Sequence, residues 1–208
     1  TGDEQVYIKD FYPIPDKEHP KRTYPFIDRS RRYFIVPIYP EYHTELFPDS
    51  ILNNESPDDF VENQPHRNAI QKVYISRSYF KNLKPSDVII FYRTGGYYRG
   101  VVTTIGVVEN IFTNIFDENE FISLCRKRSV FSDDQLAEHW NYNQRNRPFV
   151  VNFLYAYSFP KRPNLKALIE MGIISDISSA PRGFEEITKD QFELILGVSE
   201  SDESFIIN

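Results

Sequence analysis

Residues 72–110 read KVYISRSYFKNLKPSDVIIFYRTGGYYRGVVTTIGVVEN, and the rest of the chain is arranged around them. Three apolar runs, 72–76, 87–92 and 101–108, alternate with turn chemistry. β-Branched and aromatic residues dominate each run, which predicts strands buried on one face or both. Pro85-Ser86-Asp87 starts the second run, and Gly95-Gly96 falls where a hairpin between the second and third would turn. The charge is lopsided: Lys72, Arg77, Lys81, Lys84, Arg93 and Arg99 face Asp87 as the only acid before Glu109. Tyr74, Tyr79, Phe80, Phe91, Tyr92, Tyr97 and Tyr98 are interleaved with these cations. Cations that meet phosphates, mixed with rings that stack on bases, suit a reader of single-stranded or extruded bases.

The composition restricts how such reading can work. The 208 residues carry 24 Lys and Arg against 30 Asp and Glu, a formal charge of −6. Any contact with nucleic acid must therefore use a local basic patch and not bulk charge. A hydrophobic share of 40% with 15% aromatics supplies a core and excludes a disordered chain. Cys125 is the one cysteine, so no internal disulfide forms, and a reducing compartment fits. No apolar run approaches the roughly 18 residues of a membrane span, and no signal-peptide pattern opens the sequence. The expected location is cytoplasmic, away from membranes.

Working outward, residues 6–11 (VYIKDF) form a short strand pattern without a partner. The chain opens Thr1-Gly2-Asp3 and its one methionine is Met171, so it reads as a piece of a longer polypeptide. Prolines 13, 15, 20 and 25 fix an extended connector whose Lys21, Arg22, Arg29, Arg31 and Arg32 form a second basic cluster. The expected division is 1–32 as the end of a preceding domain plus a Pro-rich basic linker, 33–198 as the domain, and 199–208 as a flexible tail. Residues 33–38 make a strand, with Pro37 marking an edge or a bulge. Residues 41–52 hold a short helix broken at Pro48, and 53–68 form a long polar surface loop. Helices are expected over 117–128 and 133–141, the latter from the capping box Ser132-x-x-Gln135. A long strand spans 149–159. Asn164 opens a helix closed at Gly172, and a second capping box, Thr188-x-x-Gln191, starts a helix that Gly197 closes. Short helices between mostly antiparallel strands predict an α+β fold, a small mixed barrel and not a βαβ array.

Asp87-Val88-Ile89-Ile90-Phe91-Tyr92 followed by Thr104-Ile105-Gly106-Val107-Val108-Glu109 resembles the PUA-like superfamily, which includes the EVE, ASCH and YTH domains. Pro181-Arg182-Gly183-Phe184-Glu185-Glu186-Ile187 before a terminal helix also resembles the end of such domains. The resemblance implies a small, mostly antiparallel β-barrel with short peripheral helices that binds RNA or modified nucleobases. The sequence departs from the family in two ways. The ASCH glycine–lysine pair with its downstream glutamate and arginine is missing from residues 41–52, and Trp140 is the sole tryptophan where EVE and YTH pockets often use a pair. Residues 6–11 resemble the last strand of a GNAT-type acetyltransferase, which implies a module fused behind such an enzyme.

The candidate base-binding residues follow from the strand ends. Tyr92, Arg93 and Thr94 sit where the family places pocket residues, with Tyr92 to stack and Thr94 and Arg93 to bond a base edge or phosphate. Tyr97, Tyr98 and Arg99 flank the Gly-Gly turn. Ser76, Arg77 and Ser78 form a hydroxyl–cation–hydroxyl run able to cradle a phosphate. The expected function is recognition of an unpaired or modified base, in RNA ahead of DNA, with the targeting of a fused acetyltransferase as a further task. The competing readings are a hydrolase of a modified nucleoside, using Glu109 or Glu41 with Lys72 or Lys84, and a protein-interaction module. His19, His43, His66 and His139 show no metal-ligand spacing with one another or with Cys125, so neither a metal nor a cofactor is expected. His43 is expected at the surface or at a helix start. No nucleophile elbow, phosphate loop or dinucleotide fingerprint is present.

Overall fold

The computed structural model describes residues 16–50 and 64–207. In chain order it contains β1 (Ile27–Asp28), β2 (Tyr33–Ile38), α1 (Pro40–Leu46), α2 (Pro65–Asn68), β3 (Gln71–Ser76), β4 (Val88–Arg93) and β5 (Val101–Phe112). There follow α3 (Glu118–Cys125), α4 (Asp133–Asn141), β6 (Phe149–Ser158), α5 (Leu165–Glu170), β7 (Glu185–Ile187), α6 (Lys189–Val198) and β8 (Ile206–Ile207). Six strands form one sheet in the order β3-β6-β5-β4-β2-β7. Only β2 and β4 run parallel in it, and the sheet curls into a half-barrel flanked by the helices. This is the α+β, mostly antiparallel architecture that the strand pattern predicts.

Period-two alternation places apolar side chains on both faces. Tyr33, Ile35, Val88, Ile90 and Tyr92 join a core with Leu165 and Leu168 of α5 and Phe192, Ile195 and Leu196 of α6. Phe34, Val36, Ile38, Ile89 and Phe91 join a second core with Leu46 and Phe47. A third cluster packs Phe121 and Cys125 of α3 and Leu136 and Trp140 of α4 on Val73 and Val150. Pro37 sits beyond the last β7 partner of β2, Ile35, so the N–H it lacks breaks no bond on that side.

The helix starts follow the local chemistry. Both capping boxes are formed, Ser132 with Gln135 and Thr188 with Gln191, and Asp117 and Asn164 cap α3 and α5 through their side chains. Gly172 takes a positive φ of 68° just past α5. Helix α6 runs through Gly197 to Val198, beyond the expected stop, and ends where Glu200 takes a positive φ of 51° and Glu200 and Ser201 donate their N–H groups to the Gly197 and Leu196 carbonyls.

The flanking segments differ from their expected roles. Residues 199–207 are docked: β8 pairs in parallel with β1, and Ile27 and Ile206 are both buried. Residues 16–32 are docked as well. Tyr24 donates its hydroxyl to the Tyr155 carbonyl at 2.7 Å, and Ser86 donates its hydroxyl to the carbonyls of Asp16 and Lys17. The basic cluster of this segment is neutralised by acids. Arg29 meets Glu203 at 2.6 Å, Arg31 meets Asp28 at 3.1 Å and Arg32 meets Asp87 at 2.5 Å. These arginines anchor the segment and leave little net positive field for a phosphate. Residues 6–11 and most of the expected 53–68 loop lie outside the described residues.

Candidate functional site

A groove of about 850 Å³ opens where the C-terminal ends of β2 and β3 meet α1, the α3–α4 connection and the turn before β7. Proline at the first position of α1 presets its backbone, so Tyr39 and Tyr42 are held at the helix start. Tyr39, Tyr42, Phe131 and His139 form a continuous aromatic wall. Tyr39 and Tyr42 meet edge to face at 6.2 Å, Tyr42 and Phe131 at 4.7 Å, and Phe131 and His139 at 4.4 Å. Tyr74 closes the floor, its hydroxyl donating to the Pro37 carbonyl at 2.7 Å, and burial raises its pKa. Tyr79 stands at the rim with 91% of its surface exposed.

The charge of the groove opposes that of the chain. Arg77, Arg182 and His139 line it, and among the described residues that line it none is Asp or Glu. Arg77 donates to the His139 carbonyl, approaches His139 Nδ1 at 3.5 Å and stacks over the Tyr142 ring at 5.1 Å. Burial lowers its pKa. Ser76 and Ser78 shape the neighbouring turn, because their hydroxyls accept the N–H groups of Ser78 and Phe80 at 3.1 Å each. Gly183 lies against this turn. A Cβ there would come within 3.0 Å of Ser78 Oγ, so glycine lets the loop carrying Arg182 sit this close.

The expected site residues separate into two groups. Ser76, Arg77, Ser78 and Thr94 line the groove. Tyr92 is 2% exposed and packs in the α5/α6 core, so it offers no face for stacking. Alternation places it with Val88 and Ile90, and Gly100 lies against its hydroxyl. Arg93 is partly buried at the end of β4, where its charge acts on His43. Tyr97, Tyr98 and Arg99 sit within the β4–β5 turn away from the groove, the two rings edge to face at 4.7 Å and Tyr98 70% exposed. Tyr39, Tyr42, Phe131, His139 and Arg182 are groove residues that the strand-based reading missed.

The residues of the hydrolase reading lie elsewhere. Glu109, Glu41, Lys72 and Lys84 are all absent from the groove lining. Lys72 is buried, with its ammonium donating to the His66 and Arg67 carbonyls at 2.7 and 3.1 Å, and burial lowers its pKa to about 8. Glu109 accepts from Gln71 and pairs with Lys21 at 3.6 Å. His43 is wholly buried and not a surface residue. Its Nε2 lies 2.8 Å from Thr103 Oγ1, and hydroxyl contacts continue through Thr104, Ser50 and Ser158 to Tyr155. Among the described residues no group of three or more His, Cys, Asp or Glu is placed to hold a metal ion, and no helix is long and apolar enough to cross a membrane. Cys125 is buried, which raises its thiol pKa to about 12.

No protein-family model and no curated protein matches the chain. Solved structures do. The chain is similar to a point mutant of the ZmASCH protein from Zymomonas mobilis, with a TM-score of 0.55 and 15% identity over 81% of this chain and 96% of that one. It also matches a hypothetical protein from Leishmania major (TM-score 0.48, 9% identity, 82% and 96% covered). A third match is human THYN1 in complex with 5-methylcytosine-containing DNA (TM-score 0.45, 10% identity, 82% and 99% covered). At 15% identity the likeness to ZmASCH speaks for the fold alone, the curled α+β half-barrel described above.

Proposed function

We propose that the groove binds an unpaired or modified base of a nucleic acid, in RNA or DNA, with the neighbouring phosphate held at the Arg77–Arg182 side. One observation carries this reading. A chain of net charge −6 has a large concavity walled by aromatic rings, with two arginines and no carboxylate among its described lining residues. A base offers a flat apolar face to such a wall, and stacking contributes about 1–3 kcal/mol per base. The arginines supply the charge-dependent part of the affinity. The serines shape the turn beside them, and Thr94 supplies a hydroxyl for a base edge. The exposed Tyr79 and Tyr39 extend the platform beyond the groove.

Delivery of a preceding acetyltransferase domain to the bound nucleic acid belongs to the same proposal. It rests on the resemblance of residues 6–11, which lie outside the described residues. The test of the binding reading is fluorescence anisotropy of the chain with short single-stranded RNA and DNA, unmodified and base-modified, across salt. Binding that weakens with salt supports the proposal, and no binding at low salt to any of these probes overturns it.

A further inference from the structure

The base-binding reading uses His139 only as the end of the aromatic wall, although its ring nitrogen also meets the cation. Its ring meets Phe131 edge on at 4.4 Å, and its Nδ1 lies 3.5 Å from an Arg77 amino group. A guanidinium only donates, so this long contact requires a lone pair on Nδ1, and the hydrogen of the neutral ring then sits on Nε2. A proton on Nδ1 would set two donors and two positive charges against each other. Burial first and Arg77 second lower the pKa of His139, while Glu138 on the same helix acts the other way. Among the described residues, the other titratable groups that line the groove are Tyr39 and Tyr42 at the start of α1, Tyr74, Tyr79 and Arg182, and Tyr142 lies under Arg77.

We infer that His139 determines specificity for phosphate: it takes up a proton when a phosphate enters beside Arg77, so the groove favours a phosphate-bearing ligand over a neutral ring. This rests on the reading of the groove as a nucleic-acid site. The phosphate charge offsets that of Arg77, and its oxygens accept from both the guanidinium and a newly protonated Nδ1. A neutral ligand uses the aromatic wall alone and leaves the protonation of His139 as it is. Phosphate binding is therefore proton-linked, and its affinity rises as pH falls, by at most about tenfold per pH unit for one coupled proton.

Isothermal titration of the full chain with a single-stranded tetranucleotide, at pH 6 and at pH 7 and in two buffers of different ionisation enthalpy at each, measures that proton directly. A matched tetranucleotide with uncharged methylphosphonate linkages is the control. The expected result is net proton uptake with the charged strand, none with the uncharged one, and none with His139→Gln. The ring resonances of His139 in the unmodified protein, recognised by their proximity to Phe131, give a second readout should that variant fail to fold. Their titration midpoint is expected to move up when the tetranucleotide is present. Binding without proton uptake, uptake that persists in His139→Gln, or an unmoved midpoint overturns the inference while leaving the groove reading standing. No binding at low salt at any pH overturns both.

Discussion

His43 on α1 and Thr103 on β5 are joined inside the protein, with Nε2 and Oγ1 2.8 Å apart and both residues fully buried. The β4–β5 register places Phe91 opposite Thr104 and Tyr92 opposite Val102, so Thr103 is the extra residue of a bulge. Bulges redirect side chains, and here the shift brings a hydroxyl to the buried imidazole of α1. Thr103→Val keeps the shape and leaves Nε2 without that hydroxyl. A loss of about 1–3 kcal/mol in unfolding free energy is expected, read from denaturant midpoints.

The same histidine sets an acid limit. Burial first, then Arg93 and Arg162, lower the His43 pKa from 6.5 to about 3. Below about pH 6.5 the unfolded chain binds a proton that the folded chain does not, so stability falls as pH falls. The loss from this group approaches about 1.4 kcal/mol per pH unit and ends near the folded pKa. Chemical denaturation between pH 7.5 and 5 should show this decline. A His43→Gln variant, whatever its absolute stability, should show a flatter profile.

Gly100 and Tyr92 form a second close pair. A Cβ on Gly100 would lie 2.0 Å from the Tyr92 hydroxyl oxygen and 2.7 Å from Cζ, against a ring locked in the core. Gly100→Ala is expected to cost about 1–3 kcal/mol by overpacking. Tyr92→Phe removes the nearer atom, so the double variant should recover part of that loss. Purely additive effects in the double-mutant cycle would contradict the contact.

Gly183 tests the placement of the Arg182 loop. Gly183→Val sets a branched side chain against Ser78 Oγ, which a Cβ alone would approach to 3.0 Å. The loop should be displaced from the Ser76–Ser78 turn and binding of single-stranded oligonucleotides should weaken. Ser132→Ala, which removes the cap of α4, is the comparison: a stability loss of about 1 kcal/mol with the folded protein still binding.

Much of the fold was legible because local chemistry and burial agreed. The box Ser132-Asp133-Asp134-Gln135 marks the start of α4 at Asp133, the apolar run 33–38 marks β2, and the run 87–92 marks β4 one residue early. The site was legible only in part. Ser76, Arg77, Ser78 and Thr94 lie at strand ends and reach the groove, whereas Tyr92 is one residue inside a strand buried on both faces. In such a strand the last apolar position is core whichever way it points, so a ring at the strand end carries no sign of exposure. The missed wall joins Tyr42, Phe131 and His139 from separate elements, and no local spacing encodes that meeting. Tyr39 and Tyr42, three apart at a helix start around Pro40, were the one available signal. Ile27 and Ile206 are each a short apolar patch in a polar segment, and only their pairing across 179 residues (206 − 27) makes either a strand.

The most direct test of the account is the affinity of Tyr39→Ala and Arg182→Ala for a short single-stranded oligonucleotide across salt. Both side chains are exposed at the groove, so their removal should leave the fold intact. Tyr39→Ala is expected to weaken binding with an unchanged salt slope, by the roughly 1–3 kcal/mol of one stacked base. Arg182→Ala is expected to weaken binding and to lower the salt slope by about one phosphate contact. Two variants that bind as tightly as the unmodified chain, with the same salt dependence, would contradict the groove as the nucleic-acid site.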